Sequence, residues 1–200
     1  IELPCIALVV SGGHTNIVYI DEKHNFINLG ATLDDAVGES YDKVARVMGI
    51  GYPGGPIVDK LYYKGNKEAL KIPEPKVDGY DFSFSGIKTS VINAVNKARM
   101  KGEEFKPEDL SASFQEKVVD ILCKKTLKAA QDKGVKQIVI AGGVAANSLL
   151  RSELSLRASK IGIKVNYPSM TYCTDNAAMI AEAAYYKLKY GKEPIFADLT

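Results

Sequence analysis

Two glycine pairs and a scatter of carboxylates are the residues of this chain with chemistry to offer. The first pair lies inside Ile6-Ala7-Leu8-Val9-Val10-Ser11-Gly12-Gly13-His14-Thr15-Asn16-Ile17-Val18-Tyr19-Ile20. An apolar run precedes it and a β-branched, aromatic run follows, so it reads as a turn between two strands. Glycine takes positive φ readily and lets a backbone approach a ligand closely. Successive N–H groups in such a turn make a nest that can hold phosphate, although a Gly-Gly turn also serves simply to join two strands. A Walker or dinucleotide loop is excluded here, because those run from a strand into a helix. The second pair, Gly142-Gly143, does run that way. It follows the apolar strand 137–141 and leads through Val144-Ala145-Ala146-Asn147 into a helix over 148–160. Asn147 there is either a helix cap or a ligand contact.

The carboxylates divide by position. Asp35, Glu39 and Asp42, with Arg46, recur on one face of a helix over 34–48, while Val37, Tyr41, Val44 and Met48 make its buried stripe. Three carboxylates in a row can bind a metal or a ribose, or form a solvated face with Lys43 and Arg46 as partners. Asp59 falls in the first turn of a helix that Pro56 opens, where it either complements the helix dipole or accepts hydrogen bonds from a ligand lying over the glycines. Asp175 stands at the start of the last helix, with dipole and capping roles open to it. His14, next to the first glycine pair, is a hydrogen-bond donor, a packing residue or a general base. Cys5, Cys123 and Cys173 are far apart and odd in number, which argues for neither a disulfide framework nor a metal knuckle. They read as buried small apolar residues in a reducing compartment.

The elements that must position these groups follow from pattern. The 200 residues are 46% hydrophobic and 25% charged, the balance of one soluble globular domain. The net charge of +2 neither demands nor excludes a nucleic-acid partner. No apolar run approaches the roughly 18 residues that span a bilayer and no signal peptide opens the chain, so a cytoplasmic location with no membrane partner is expected. A third strand is expected over 26–29. Tyr52-Pro53-Gly54-Gly55-Pro56 breaks the first helix, and Ile57 and Leu61 face inward on the next. The loop 71–86 is long enough to be functional, or Phe82 and Phe84 pin it to the core. Helices over 87–100 and 107–132 follow, the latter burying Leu110, Phe114, Val118 and Ile121 and closed by Gly134. A short strand over 163–167 and a helix from Asp175 to about Tyr190, close-packed through Ala177, Ala181 and Ala184, complete the chain. The order is a three-strand meander, helices, strand, helix, strand, helix. That is the α/β layout of one ribonuclease-H-like lobe of the actin/hexokinase/heat-shock chaperone ATPase superfold: a mixed sheet with helices on both faces, here with a helical insertion at about 53–133. In that superfold a glycine hairpin holds phosphate and a later strand–Gly-Gly–helix holds adenosine.

Seven motifs in order carry a resemblance over nearly the whole chain. They are Val10-Ser11-Gly12-Gly13-His14-Thr15, Asp34-Asp35-Ala36-Val37-Gly38-Glu39, Tyr41-Asp42-Lys43-Val44-Ala45-Arg46, Tyr52-Pro53-Gly54-Gly55-Pro56, Phe82-Ser83-Phe84-Ser85-Gly86-Ile87-Lys88, Ala141-Gly142-Gly143-Val144-Ala145-Ala146-Asn147 and Cys173-Thr174-Asp175-Asn176-Ala177-Ala178-Met179-Ile180. Together they resemble the tRNA threonylcarbamoyladenosine synthase family (TsaD, under an older label O-sialoglycoprotein endopeptidase). The resemblance implies transfer of a threonylcarbamoyl group from threonylcarbamoyl-adenylate to N6 of adenine 37 of tRNA, in concert with other subunits of a transfer complex. It places the backbone of Val9, Val10, Ser11, Gly12 and Gly13 along the phosphate and carbamoyl part of the adenylate, or of ATP. It places Asp42, Gly55 and Asp59 at the ribose and adenine side, with Asn147 also on the nucleotide, and makes Asp175 one ligand of a single metal, iron or zinc.

The family's two other metal ligands form a His-x-x-x-His motif ahead of the first hairpin, which His14 and His24 cannot supply. The expectation is therefore a single lobe over 1–200, the carboxy-terminal part of a two-lobe protein, cut at both ends, without its amino-terminal metal-binding lobe and inactive alone. A small-molecule kinase or ATPase of the same superfold, and a non-catalytic scaffold paralogue, are the competing readings. A peptidase is rejected, since neither His-Glu-x-x-His nor a convincing Ser-His-Asp or Cys-His set is present. Lys97, Arg99, Lys101, Lys124, Lys125 and Lys128 are candidate tRNA contacts, or a solvated helix face.

Overall fold

The strand β1 (Cys5–Val10) contains no polar residue, and the computed structural model, which describes residues 1–189, shows why. It lies at the centre of a five-stranded sheet of order β3-β2-β1-β4-β5, buried on both faces. β2 (Thr15–Ile20) and β3 (Phe26–Ala31) follow as an antiparallel meander, with a bulge at Ile17/Val18. β4 (Gln137–Ala141) returns parallel to β1, in the register Ile6↔Ile138 to Val9↔Ala141. β5 (Lys164–Asn166) adds parallel to β4. This mixed sheet and its helices form the ribonuclease-H-like lobe that the element order implies.

Six helices accompany the sheet among the described residues: α1 (Val37–Met48), α2 (Gly54–Tyr62), α3 (Ser85–Lys101), α4 (Pro107–Asp132), α5 (Ser148–Ser159) and α6 (Ala177–Lys189). The stripes of α1 and α4 are buried as their spacing requires. On α2 the inward residue is Val58, fully buried, whereas Ile57 and Leu61 are only half-buried. The helix starts at Gly54, not Pro56, and the face it buries is the one carrying Gly54 and Val58, four residues apart.

The long loop is pinned. Phe82 and Phe84 are fully buried and stacked, and Phe82 exchanges backbone bonds with Ala31 and Leu33. Asp34 then caps α3 from a distance, accepting from Ser83 Oγ at 2.6 Å and Phe84 N at 2.8 Å. α6 departs from expectation. It begins at Ala177, capped by Asn176, whose Oδ1 accepts from Met179 N at 3.1 Å, so Asp175 is not its cap. None of its described side chains is buried, Ala177, Ala181 and Ala184 included, and Met179, Ile180, Tyr185 and Leu188 lie exposed. Tyr190 and the apolar segment 195–200 lie outside the described residues.

The three cysteines are free and buried. No helix among the described residues is long and apolar enough to cross a membrane.

Candidate nucleotide site

Because β1 and β4 are adjacent and parallel, the two glycine segments leave the sheet at the same edge. Val9 pairs with Ala141, so Ser11-Gly12-Gly13 and Gly142-Gly143 emerge side by side. Ligand sites of open α/β sheets lie beyond such carboxyl ends of strands. Gly142 must be glycine for two reasons: its φ is 96°, and a Cβ would overlap the Val10 carbonyl. A 3₁₀ turn, Gly143–Ala146, then intervenes before α5.

Gly12 and Gly13 differ from expectation. Neither adopts positive φ, so conformational freedom is not what the turn needs from them. A Cβ at either would point into open space. The turn is instead built by side chains. Ser11 Oγ accepts from the backbone N–H of Gly13 at 3.2 Å and of His14 at 3.0 Å, which commits two donors of the anticipated anion nest to the protein itself. Thr15 Oγ1, fully buried, accepts from Val37 N at 2.9 Å, and Ser11 O accepts from Gly38 N at 3.1 Å. The amino terminus of α1, whose own cap residue Ala36 has no side-chain bond to give, is thus capped from the glycine hairpin. Gly38 allows the contact, since a Cβ there would lie 2.8 Å from Ser11 O and 2.9 Å from Gly12 N.

The hairpin, α1, α2 and the 3₁₀ turn enclose a cleft of about 380 Å³. Five residues singled out from the sequence line it together: Gly12, Asp42, Gly55, Asp59 and Asn147. Tyr41, Pro53, Lys60 and Met170 complete much of the wall. Val9, Val10 and Ser11, expected along the phosphate, do not line the cleft: Val9 is half-buried, Val10 is fully buried, and the Ser11 N–H and C=O are bonded to His14 O and Gly38 N. Gly13 and Asp175 are not part of the lining.

Asp42, Asp59 and Asn147 are each held by specific partners. Asp42 Oδ1 accepts from Gly54 N at 2.7 Å, where it caps α2. Gly54 sits so close to α1 that a Cβ would lie 2.6 Å from Tyr41 O. Asp59 complements a helix other than its own. Its Oδ2 accepts from Ser148 N at 3.0 Å, at the amino terminus of α5, and its Oδ1 accepts from Ser148 Oγ at 2.9 Å and Gln115 Nε2 at 2.8 Å. Asn147 is the cap of α5, its Oδ1 accepting from Leu150 N at 2.9 Å, while its Nδ2 donates to Gln115 Oε1 at 2.9 Å. Tyr41 packs edge-on against Phe114, and burial, reinforced by the Asp59 charge, holds its phenol well above the ordinary value.

The other two carboxylates of the row are ion-paired, and Asp35 lies ahead of α1, which starts at Val37 and not at residue 34. Asp35 binds Lys43 at 2.7 Å and also Lys88, and Glu39 binds Lys43 at 2.8 Å. Of the row of three, only Asp42 turns to the cleft. Five of the six basic candidates are similarly engaged: Lys101 with Glu103, Arg99 with Val47 O, Lys124 with Asp120 and Glu74, Lys125 with Val77 O and Gly79 O, and Lys128 with Asp132. That is the pattern of a solvated, paired surface.

Asp175 is exposed, between the 3₁₀ turn Met170–Tyr172 and α6. No three His, Cys, Asp or Glu side chains converge as a metal would require among the described residues. The donor set present therefore does not fit a metal centre by itself.

Sequence reasoning missed Gly38, Gln115 and Ser148. A glycine in the first turn of a helix marks a close approach. Gln115, fully buried beside the Phe114 stripe, shows as a polar residue on a helix face that packing covers.

A family model and curated relatives point to one relationship. A family model described as TsaD, tRNA N6-adenosine threonylcarbamoyltransferase, matches residues 1–182. The curated tRNA N6-adenosine threonylcarbamoyltransferase of Fusobacterium nucleatum subsp. nucleatum is 71% identical over 192 residues, 96% of this chain and 56% of that protein. Its namesake in Caldicellulosiruptor saccharolyticus is 52% identical over 189 residues, 94% of this chain and again 56% of the relative. The chain thus spans little more than half the length of these relatives. Among solved structures, full-length HypF in a phosphate- and nucleotide-bound form superposes with a TM-score of 0.72 at 14% identity, covering 98% of this chain and 34% of that one. HypF of T. kodakarensis gives 0.69 at 14% identity, over 93% of this chain and 34% of that one. At that identity the likeness is one of fold.

Proposed function

The chain belongs to the TsaD family of tRNA N6-adenosine threonylcarbamoyltransferases, and from that premise we propose that it is the nucleotide-holding lobe of a two-lobe acyltransferase. The full-length protein transfers the threonylcarbamoyl group of threonylcarbamoyl-adenylate to N6 of adenine 37 of tRNA, in the cytoplasm and with other subunits. The observation that carries this reading is the convergence of Gly12, Asp42, Gly55, Asp59 and Asn147 on one cleft at the carboxyl edge of β1 and β4.

The chain's own residues do the following. The open space over Gly12 and Gly13 admits the phosphate and acyl part of the adenylate against backbone. Asp42, with Oδ1 tied to Gly54 N, presents Oδ2 to a ribose hydroxyl. Asp59 and Asn147 contribute one acceptor and one donor to the nucleoside. Attack of N6 on the carbamoyl carbon then expels AMP, and a site that holds the phosphate and ribose rigidly orients that carbon. A metal would supply Lewis-acid chemistry when bound. Asp175 is its one candidate ligand here, and no step is assigned to it.

The test uses the full-length protein with its partner subunits, threonylcarbamoyl-adenylate and a tRNA substrate. Modified adenine should form, and Asp42→Ala should abolish adenylate binding. The 200-residue chain alone should form none. Modification by that chain alone would overturn the two-lobe reading. ATP-dependent phosphorylation of a small hydroxyl compound, without adenine modification, would overturn the acyltransferase itself.

A further inference from the structure

We propose that Gln115 is a positioning residue that sets the hydrogen-bond polarity of the cleft, through Asp59 on one side and Asn147 on the other; the inference rests on the nucleotide reading above. Gln115 lies in mid-α4, with 0% of its surface exposed, and touches both candidate ligand residues. A buried primary amide is costly unless satisfied, and here both of its ends are used.

The orientation of the amide is determined by chemistry. An ionised carboxylate only accepts, so the Gln115 end that faces Asp59 must be the Nε2 donor, at 2.8 Å. The Oε1 end is then left for Asn147 and can only accept, so Asn147 must offer Nδ2, at 2.9 Å. Asn147 Oδ1 is thereby directed to Leu150 N, the bond that caps α5. The chain of polarity runs from the Asp59 charge through Gln115 to the α5 cap. Its consequence is that Asn147 keeps its second Nδ2 hydrogen, a donor, for the ligand, while its carbonyl is occupied. Asp59, with Oδ1 bonded twice and Oδ2 once, keeps its remaining acceptor capacity on Oδ2. Gln115 itself does not line the cleft. A nucleoside edge that offers an acceptor to Asn147 and a hydroxyl or amino donor to Asp59 is the matching partner.

Two substitutions in the full-length protein separate positioning from packing. Gln115→Met keeps the volume and removes both bonds, leaving the buried Asn147 Nδ2 without its partner and Asp59 with only its two bonds from Ser148. ATP affinity measured by calorimetry should fall about tenfold or more at every pH. Gln115→Glu puts a second carboxyl against Asp59, and like charges that close share a proton. The other ionisable groups of the cleft are Tyr41 and Asp42 from α1 and Lys60 from α2. While the pair of carboxyls holds its proton, near about pH 5.5, the introduced side chain can still donate to Asp59 and accept from Asn147, so affinity should stay near wild type. As pH rises towards about 8 the proton leaves, and affinity should drop by about tenfold or more, where wild type changes little.

A merely structural Gln115 would lower the melting temperature without giving Gln115→Glu that new pH dependence. Wild-type affinity in both variants, or an unaltered pH profile in Gln115→Glu, overturns the proposal. If Gln115→Met does not fold, the Gln115→Glu profile decides alone. Absence of ATP binding by the wild-type protein would overturn the nucleotide reading and this inference with it.

Discussion

Substituting Gly38 by alanine sets two effects of opposite sign against each other. Gly38 is in the first turn of α1, and replacing an unstrained helical glycine by alanine normally stabilises by about 0.5–1 kcal/mol. Here the new Cβ would meet Ser11 O at 2.8 Å, Gly12 Cα at 2.9 Å and Gly12 N at 2.9 Å, all backbone atoms that no rotamer change can move aside. Relief requires the hairpin to shift from α1. Overpacking of that kind costs about 1–3 kcal/mol. The Gly38 N–H bond to Ser11 O, at 3.1 Å, is weakened with it, for about 1 kcal/mol more. The net is a loss of about 1–3 kcal/mol, or roughly 2–12 °C of melting temperature for a domain of this size. Thermal and urea melts of the full-length variant measure it, with ATP calorimetry alongside. Affinity should fall too, because the atoms displaced belong to the wall of the cleft. A Gly38→Ala protein that melts above wild type and binds equally well would refute the packing argument, since helix propensity alone would then decide.

Gly12→Ala is the counterpart. Gly12 has ordinary φ and open space where the Cβ would go, so stability should stay within about 0.5 kcal/mol while nucleotide affinity drops, as paired melts and calorimetry would show. Burial by itself would raise the carboxyls of Asp35 and Asp120, but bonds from Lys43 and Lys88 to the first, and from Lys124 and Arg157 to the second, hold both below the ordinary value. Groups depressed in the folded state contribute stability above the unfolded carboxylate value of about 3.9 and lose it as pH falls through the folded value. Urea midpoints should therefore drop below about pH 4, and Asp120→Asn should flatten that acid limb; an unchanged limb would refute the assignment. Burial pushes the Cys123 thiol up to about 12, so Cys123 should resist a thiol-specific reagent at about pH 8 in the folded protein and react at once in denaturant. Fast native labelling of Cys123, located by mass spectrometry, would contradict its burial.

What could be read from the linear chain was what repeats locally. Turn glycines, the 3.6-residue stripes of α1 and α4 and the apolar runs of β1 and β4 are set by neighbours within a few residues, and so are legible one segment at a time. The two glycine pairs and Asp42, Asp59 and Asn147 were visible as residue types for the same reason. What each carboxylate does was not, because its partner is remote in sequence. Asp59 caps a helix 89 residues away, and Thr15 caps one 22 residues away. Spacing alone could not tell Asp42, turned to the cleft, from Asp35 and Glu39, drawn off by Lys43 and Lys88. Gln115 stayed hidden because its meaning lies in two long-range hydrogen bonds, and only the packing of α2 and α5 against α4 makes them. The parallel pairing of β1 with β4 is likewise a tertiary fact, and it is what turns two separate glycine loops into one cleft.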